Sequence, residues 1–282
     1  MKNNFVIRAR ELVSLGDKFI KNFGSDKFHF EAARLLEESQ MHELFNFRNL
    51  IETSFSKSFN HHQKYKNLEF SDLPLTIARG NDCFIDVYFW RRRPTVIHNH
   101  HFNGAFQCLE GLNIDSEFKF KTIKKLTKHH SLGELQLKRT VILKKGDIER
   151  INFLDKFIHQ NHHQADLTVN LCFRTLDAPQ KNLSNYLFSG LKFEKDQGSI
   201  ERAQRIFAFA RIDDFDHRKL NITLIDAINF LIIFHGSSVS HTRFLKLKKF
   251  LEAKVKSETG IKVTELLEKH DRELERIESD YE

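Results

Sequence analysis

Between residues 71 and 192 the chain carries a succession of short strand-like runs, and this pattern constrains the fold more than any other. Leu75–Arg79 is the first run, and it ends at the turn residues Gly80, Asn81 and Asp82. Phe84–Trp90 and Thr168–Arg174 are two more, and the second alternates polar and apolar residues. Short strands at this spacing are typical of β-sandwiches and barrels. The sequence therefore predicts a mainly β core over 71–192.

Both ends of the chain show helical periodicity instead. Apolar residues recur at helical spacing from residue 5 to about 70, and again from Ser199 onward. We therefore predict a helical N-terminal segment (1–70), a β-barrel (71–192) and a helical C-terminal segment (193–282). The last segment carries Leu266, Leu267, Leu274 and Ile277 among many charges. Such an amphipathic helix can pack on a partner, so we expect the helical extensions to offer a surface for a homodimer.

Composition limits the protein class. Among 282 residues 40% are hydrophobic, which suffices for a core, and the net charge of +7 comes without an aromatic and basic platform for nucleic acid. The three cysteines lack C-x-x-C spacing, which favours reduced thiols over disulfides or a zinc ribbon. The most apolar run, Ala227–Phe234, is too short to span a bilayer. We therefore expect a cytoplasmic protein that binds neither nucleic acid nor membranes.

Two histidines two positions apart suggest chemistry within the β core. Side chains alternate along a strand, so His98 and His100 point to one face while Asn99 and His101 point to the other. Two imidazoles on one face can bind one divalent metal, and a third ligand must then come from elsewhere. The best source is the stretch from His159 to His163. With 16 histidines in the chain, about one such pair arises by chance, so an incidental polar cluster remains an alternative.

The spacing around these histidines resembles the first motif of the cupin superfamily. That motif has His-x-His, a Glu four residues on and a later Gly; His98, His100 and Gly111 match, and Gly104 stands in place of the Glu. Loss of the carboxylate is a feature of the cysteine dioxygenase type of thiol dioxygenases, which bind iron with three histidines. The second motif begins with a Gly, matched by Gly146, and its His is matched best by His159, with His163 as the alternative.

The resemblance implies a cupin-like double-stranded β-barrel, or jelly roll, that binds Fe(II) or another divalent metal. It also implies a carboxylate-binding arginine, for which Arg79 is the nearest match and Arg174 the other candidate. The family's catalytic tyrosine has no counterpart on the strand after the third ligand, where Cys172 and Arg174 stand. Tyr186, on the following loop, is the candidate for that catalytic role. No other cofactor is implied.

The favoured function is that of a mononuclear non-haem iron cupin that oxidises a small substrate with O₂. By the resemblance, this substrate carries a thiol and a carboxylate. Two alternatives stay open: a cupin that binds a metal or ligand without turnover, and a structural module in which the helical ends mediate assembly. Fold analogy does not choose among them, and the substrate is not determined by the sequence.

Overall fold

A computed structural model describes residues 4–55, 59, 71–91, 94–176, 183–194, 197–209, 221–237 and 242–279. Helices lie at both ends of the described chain: α1 (Asn4–Phe23), α2 (Phe28–Ser39), α3 (Met41–Leu44), α4 (Phe47–Ser54), α5 (Gln197–Phe209), α6 (Leu224–Ile233), α7 (Thr242–Thr259) and α8 (Val263–Ser279). The strands lie between them: β1 (Leu73–Arg79), β2 (Cys83–Trp90), β3 (Ile97–His100), β4 (Gly104–Glu110), β5 (Asn113–Lys125), β6 (His130–Leu143), β7 (Ile148–Ile151), β8 (Leu154–His163), β9 (Thr168–Thr175), β10 (Ser184–Tyr186) and β11 (Leu191–Glu194).

The strands form two sheets. One has five strands in the order β1-β2-β9-β4-β7, and the other closes as a barrel in the order β10-β11-β6-β5-β8-β3. The predicted fold class, a β core with helices at both ends, is confirmed. No helix in the part of the chain that the structure describes is long and apolar enough to cross a membrane.

By internal contacts the chain divides into two compact units, Met1–Lys119 with Leu137–Lys181, and Phe120–Gln136 with Asn182–Glu282. The boundaries between the units fall inside the long strands β5 and β6, and each strand continues across its boundary without interruption. The predicted segments 1–70, 71–192 and 193–282 stay a prediction about domain organisation.

In the first unit, one face of the five-stranded sheet packs against the N-terminal helices. Val169, Leu171 and Phe173 of β9 join a core that includes Leu12 of α1 and Phe28 of α2. The opposite face of β9 carries Thr168, Asn170, Cys172 and Arg174, all buried. This is the division between polar and apolar faces that alternation predicts, and it leaves a polar set facing away from the helices.

Asp17 of α1 holds the turn between β1 and β2. Its carboxylate accepts hydrogen bonds from the backbone N–H groups of Asn81, Asp82 and Cys83, at 2.9, 3.0 and 3.2 Å. Burial alone would raise the pKa of Asp17, but these donors hold it below its usual value. A single side chain thus fixes the first helix against the edge of the sheet.

Replacing Asp17 with alanine is expected to lower the free energy of unfolding by about 1–2 kcal/mol, because three backbone donors lose a charged acceptor in a partly exposed place. Since the folded pKa is depressed, this contribution is present at neutral pH and is lost as pH falls through that pKa. Urea unfolding at pH 7 and at pH 3 measures both effects. Equal stabilities of the variant and the native protein at pH 7 would contradict the assignment.

The second unit has a core of its own, formed largely by the C-terminal helices. Phe230 of α6, Phe244 of α7 and Val263 of α8 are buried in it. Helix α6 begins with a capping box in which Thr223 and Asp226 exchange hydrogen bonds, and Arg202 pairs with Asp226 at 2.7 Å. The predicted C-terminal helical region is therefore observed as packed helices, while its role in dimerisation stays a prediction.

Candidate metal centre

Strands β3 and β8 bring three histidines together in the first unit. The two strands are antiparallel, and His98 lies directly opposite His159. The ladder is irregular between Asn99 and His100, yet ring nitrogens of His98, His100 and His159 all lie within 4.8 Å of one another. Asn99 points elsewhere and donates to Asp155 Oδ1 at 2.7 Å, as the alternation of the strand predicts.

The three rings pack closely in a place that solvent barely reaches. The ring centroids of His98 and His100 are 4.7 Å apart, and those of His98 and His159 are 4.8 Å apart. His98 is 4% exposed, and His100 and His159 are each 3% exposed. His100 Nε2 lies 2.9 Å from His159 Nε2, so one of these nitrogens donates a hydrogen bond to the other. Both nitrogens could serve as ligands of a divalent metal ion once that hydrogen is released.

Hydrogen bonds at Nδ1 fix the orientation of two of the imidazole rings, those of His98 and His159. His98 Nδ1 lies 2.7 Å from the carbonyl oxygen of Val96, and His159 Nδ1 lies 2.7 Å from Asp115 Oδ1. Each Nδ1–H donates to an oxygen, which leaves the lone pair of Nε2 directed toward the cluster. A carboxylate or carbonyl behind the ring is the usual outer partner of a metal-bound histidine.

His100 is held in the neutral form that binds metals. Burial lowers the pKa of His100 well below its usual value, and the neighbouring His98, His159 and Arg174 lower it further. A metal ligand must present an unprotonated nitrogen, so a depressed pKa favours metal uptake at neutral pH. The residues present therefore fit a divalent metal ion.

No carboxylate completes the group among the residues that the structure describes. At Gly104, where the cupin motif has Glu, an added Cβ would lie 2.4 Å from the carbonyl oxygen of Phe173. Glu117, which lies opposite His159 on β5, is bound by Lys138 and Arg139 at 2.5 and 2.7 Å. The group that could hold a metal ion therefore consists of three histidines, and their role as metal ligands stays a prediction.

Aromatic side chains surround the histidines. Phe102 lies 4.7 Å from His100 between ring centroids, and Phe157 lies 4.6 Å from His159. Phe106 is 6.2 Å from His159, and it belongs to the same buried cluster as Tyr88. Such an apolar surround excludes bulk water and strengthens electrostatic interactions at the site.

Arg174 lies beside this aromatic surround. Its guanidinium carbon is 4.5 Å from the ring centroid of Phe102 and 4.3 Å from that of Phe84. Its Nε donates to Asp86 Oδ2 at 3.4 Å, and Asp86 also accepts from the hydroxyl group of Tyr88 at 2.8 Å. Arg174 is 5% exposed, so the structure places this buried cation next to a ring that touches His100.

The other predicted site residues lie further out. Arg79 is half-buried at the end of β1 and lies 5.3 Å from the ring centroid of Phe84. His163 contacts Asn113 through Nδ1 at 2.5 Å and stacks on Trp90, so it is not part of the three-histidine group. Tyr186 lies in the second unit, where its ring is 5.1 Å from Phe120, and its catalytic role stays a prediction.

Sequence analysis missed two residues of this region, Asp115 and Tyr88. Asp115 is 1% exposed and orients His159. The sequence pattern that could have identified Asp115 is the recurrence of polar residues at every second position, Asn113, Asp115 and Glu117, in a strand-like stretch. For Tyr88, the signal was Asp86 within the apolar run Phe84–Trp90, because a buried acid needs donors nearby.

Asp115→Asn is expected to weaken metal binding about 10–100-fold, because the amide supports the required tautomer of His159 less strongly than a carboxylate does. The matched control is Asp155→Asn, since Asp155 is an exposed carboxylate on the same strand as His159 and binds Asn99 instead. Competition with a chromophoric chelator measures the affinity of both variants. Equal affinities would show that Asp115 does not support the metal centre.

The comparison with protein-family models finds no match, and neither does the comparison with curated proteins. The solved structures that are similar to this chain in fold include those of three proteins. Hydroquinone 1,2-dioxygenase from Sphingomonas sp. TTNP3 is 11% identical, with a TM-score of 0.31 over 46% of this chain and 77% of its own. A cupin superfamily protein from Desulfitobacterium hafniense is 10% identical, with a TM-score of 0.27 over 41% and 84%. A cupin-2 domain containing protein from Shewanella frigidimarina is 14% identical, with a TM-score of 0.26 over 45% and 99%.

The resemblance to thiol dioxygenases in particular stays a prediction. The site is a buried three-histidine group in a β fold with a closed barrel, and the solved structures similar to that fold include members of the cupin superfamily.

Proposed function

We propose that this chain is a cupin-type oxidoreductase that binds one divalent metal ion, most favourably Fe(II), and oxidises a small substrate with O₂. The observation that carries the proposal is the convergence of His98, His100 and His159 in a buried place. Asp115 and the carbonyl group of Val96 support two of these rings from behind. An incidental cluster of surface histidines would have neither the burial nor these partners.

Three neutral imidazoles leave the full 2+ charge of a divalent metal uncancelled, which favours anionic ligands such as a thiolate. When bound, such an ion supplies open positions at which substrate and O₂ can be oriented together. His98, His100 and His159 would hold it, and Phe102, Phe106 and Phe157 would keep water from the site. These are the roles that the residues of this chain can fill.

For Arg174 we propose the role of the anion-binding residue. Its guanidinium plane is fixed by the rings of Phe84 and Phe102, so its N–H groups are oriented before a substrate arrives. A planar fork of donors suits a carboxylate, which can accept two hydrogen bonds from it. Arg79 shares the ring of Phe84 and is a candidate for a more peripheral contribution.

Arg174→Lys is expected to raise KM about tenfold while the metal content stays at the native level, because the charge remains but the fork is lost. Arg79→Lys is the companion variant, and we expect a smaller increase in KM. Steady-state O₂ consumption and metal analysis of the same preparations check both. Native kinetics in both variants would show that the anion binds elsewhere, with Arg91–Arg93 the next candidates.

The proposed function is tested by metal analysis of anaerobically purified protein, followed by O₂ uptake with small thiols that carry a carboxylate. We expect about one divalent metal ion per chain and substrate-dependent O₂ consumption. Bound metal without O₂ uptake would favour a cupin that stores or senses a ligand. Absence of bound metal would favour a structural module. The homodimer and the cytoplasmic location stay parts of the same proposal.

A further inference from the structure

We propose that Asp86 is a positioning residue for Arg174, which it holds so that the terminal nitrogens of the guanidinium group can bind an anionic group of the substrate. The inference rests on the proposed function, because it explains how the anion-binding residue of that site is oriented. It begins from the contacts of Asp86, which lies fully buried on β2. Both oxygens of its carboxyl group accept hydrogen bonds, and the three donors come from three strands of one sheet.

Two hydroxyl groups hold the carboxyl group of Asp86 in place. Thr76 Oγ1 donates to Asp86 Oδ1 at 2.8 Å, and the hydroxyl group of Tyr88 donates to Asp86 Oδ2 at 2.8 Å. Thr76 lies directly opposite Asp86 in the ladder of β1 and β2, and Tyr88 follows Asp86 on the same face of β2. Because these donors stand on fixed strands on two sides of the carboxyl group, its orientation is set before Arg174 is considered.

Arg174 reaches this carboxyl group from the third strand, β9. Its Nε donates to Asp86 Oδ2 at 3.4 Å, and its guanidinium carbon lies 4.3 Å from the ring centroid of Phe84 and 4.5 Å from that of Phe102. Contacts with ring faces set the plane of a guanidinium group but not its rotation within that plane, because a ring face offers no directional acceptor. The hydrogen bond at Nε supplies the missing direction.

This rotation matters because a carboxylate that accepts two hydrogen bonds needs two guanidinium nitrogens turned toward it. With Nε directed to Asp86, the proposal assigns Nη1 and Nη2 to the substrate. Phe102 links the group to the metal centre, since its ring centroid also lies 4.7 Å from that of His100. Burial is the main cause of the lowered pKa of His100, and Arg174 is close enough to lower it further. The orientation of Arg174 therefore decides whether one small molecule can reach both groups.

The first experiment follows the Nε–H group of Arg174 by NMR in the metal-free full chain. Its resonance is assigned by its absence from Arg174→Lys, and exchange of this hydrogen with solvent is measured. We expect exchange at least about tenfold faster in Asp86→Ala, because the acceptor is removed. Asp86→Asn should keep the native rate, since an amide oxygen can still accept from Nε. A native exchange rate in Asp86→Ala would overturn the proposal.

The second experiment uses the full chain loaded with Co²⁺ and two thiols of the same shape, 3-mercaptopropanoate and the uncharged 3-methylbutane-1-thiol. The thiolate-to-cobalt absorption follows binding, and cobalt content is measured separately. We expect the native protein to bind the acid at least about tenfold more tightly. Asp86→Ala should lose about tenfold of this preference while its cobalt content and its affinity for the uncharged thiol stay native, and Asp86→Asn should restore the preference. An undiminished preference in Asp86→Ala would contradict the positioning role.

Two further variants separate positioning from general stability. Tyr88→Phe keeps the ring but removes one hydroxyl group that holds Asp86, so we expect a loss of about threefold in the preference, which also serves as the test if Asp86→Ala does not fold. Asp17→Ala is the matched control, because Asp17 is another acid that accepts three hydrogen bonds in the same unit, at the turn between β1 and β2. It should leave the preference unchanged. Equal losses in Asp17→Ala and Asp86→Ala would make the role of Asp86 purely structural and overturn the proposal.

The two readouts distinguish failure of this proposal from failure of the proposed function. If the protein takes up no cobalt, the metal centre fails, and exchange at Nε alone decides whether Asp86 holds Arg174. If cobalt is bound but the native protein does not prefer the acid, the anion binds elsewhere and the positioning role is overturned while the metal centre stands.

Discussion

Alanine in place of His98, His100 or His159 is expected to remove most of the bound divalent metal, with a loss of affinity of more than about a hundredfold. The loss exceeds that of an outer-partner change because one of three donor atoms disappears. Elemental analysis after anaerobic purification measures the metal content, and circular dichroism checks that each variant is folded. Oxidation of substrate should disappear together with the metal.

His101→Ala and His129→Ala are the controls, and both should retain the native metal content. His101 follows the ligand pair on the chain but is not part of the three-histidine group, and His129 pairs with Glu194 in the second unit. His163→Ala is the discriminating variant, since His163 was the alternative third ligand. A site emptied by His163→Ala but not by His159→Ala would change the third ligand. Native metal content in every variant would make the cluster incidental.

Gly104→Ala is expected to lower the free energy of unfolding by about 3 kcal/mol, at the upper end of the range for overpacked positions. An added Cβ would lie 2.4 Å from the carbonyl oxygen of Phe173 and 2.9 Å from the Cα atom of Arg174. Both are backbone atoms of a neighbouring strand in the same sheet, so relief requires the sheet itself to shift. Urea unfolding of the metal-free protein measures the effect.

Gly198→Ala serves as the control, because Gly198 is exposed in the first turn of α5 and alanine suits a helix. Its stability should stay within about 0.5 kcal/mol of the native value. Gly104→Glu would restore the carboxylate of the cupin motif in the sequence. We expect its Cβ to cause the same steric clash as in the alanine variant. A stable Gly104→Glu protein with an altered metal preference would show that the sheet can accommodate the side chain.

The sequence alone determined which regions form strands or helices, and it identified the histidine pair, His98 and His100, of the candidate site. Alternation with a period of two identified the β core, and helical periodicity identified both ends, because these patterns are local and repeat within a few residues. The same alternation placed His98 and His100 on one face and Asn99 on the other, and the structure agrees. The sequence was sufficient to predict a residue's position wherever that position depends on neighbours along the chain.

Only the tertiary structure decided which distant residues meet. His159 joins the pair because β8 aligns it with His98, whereas His163, on the same face of the same strand, lies against Trp90 and Asn113. Asp115 reaches His159 through the pairing of β5 with β8, across 44 positions of sequence. A shift of two residues in either register would keep every local pattern and change every one of these partners. Local periodicity fixes which face a side chain occupies, but the register between strands depends on packing of the whole core.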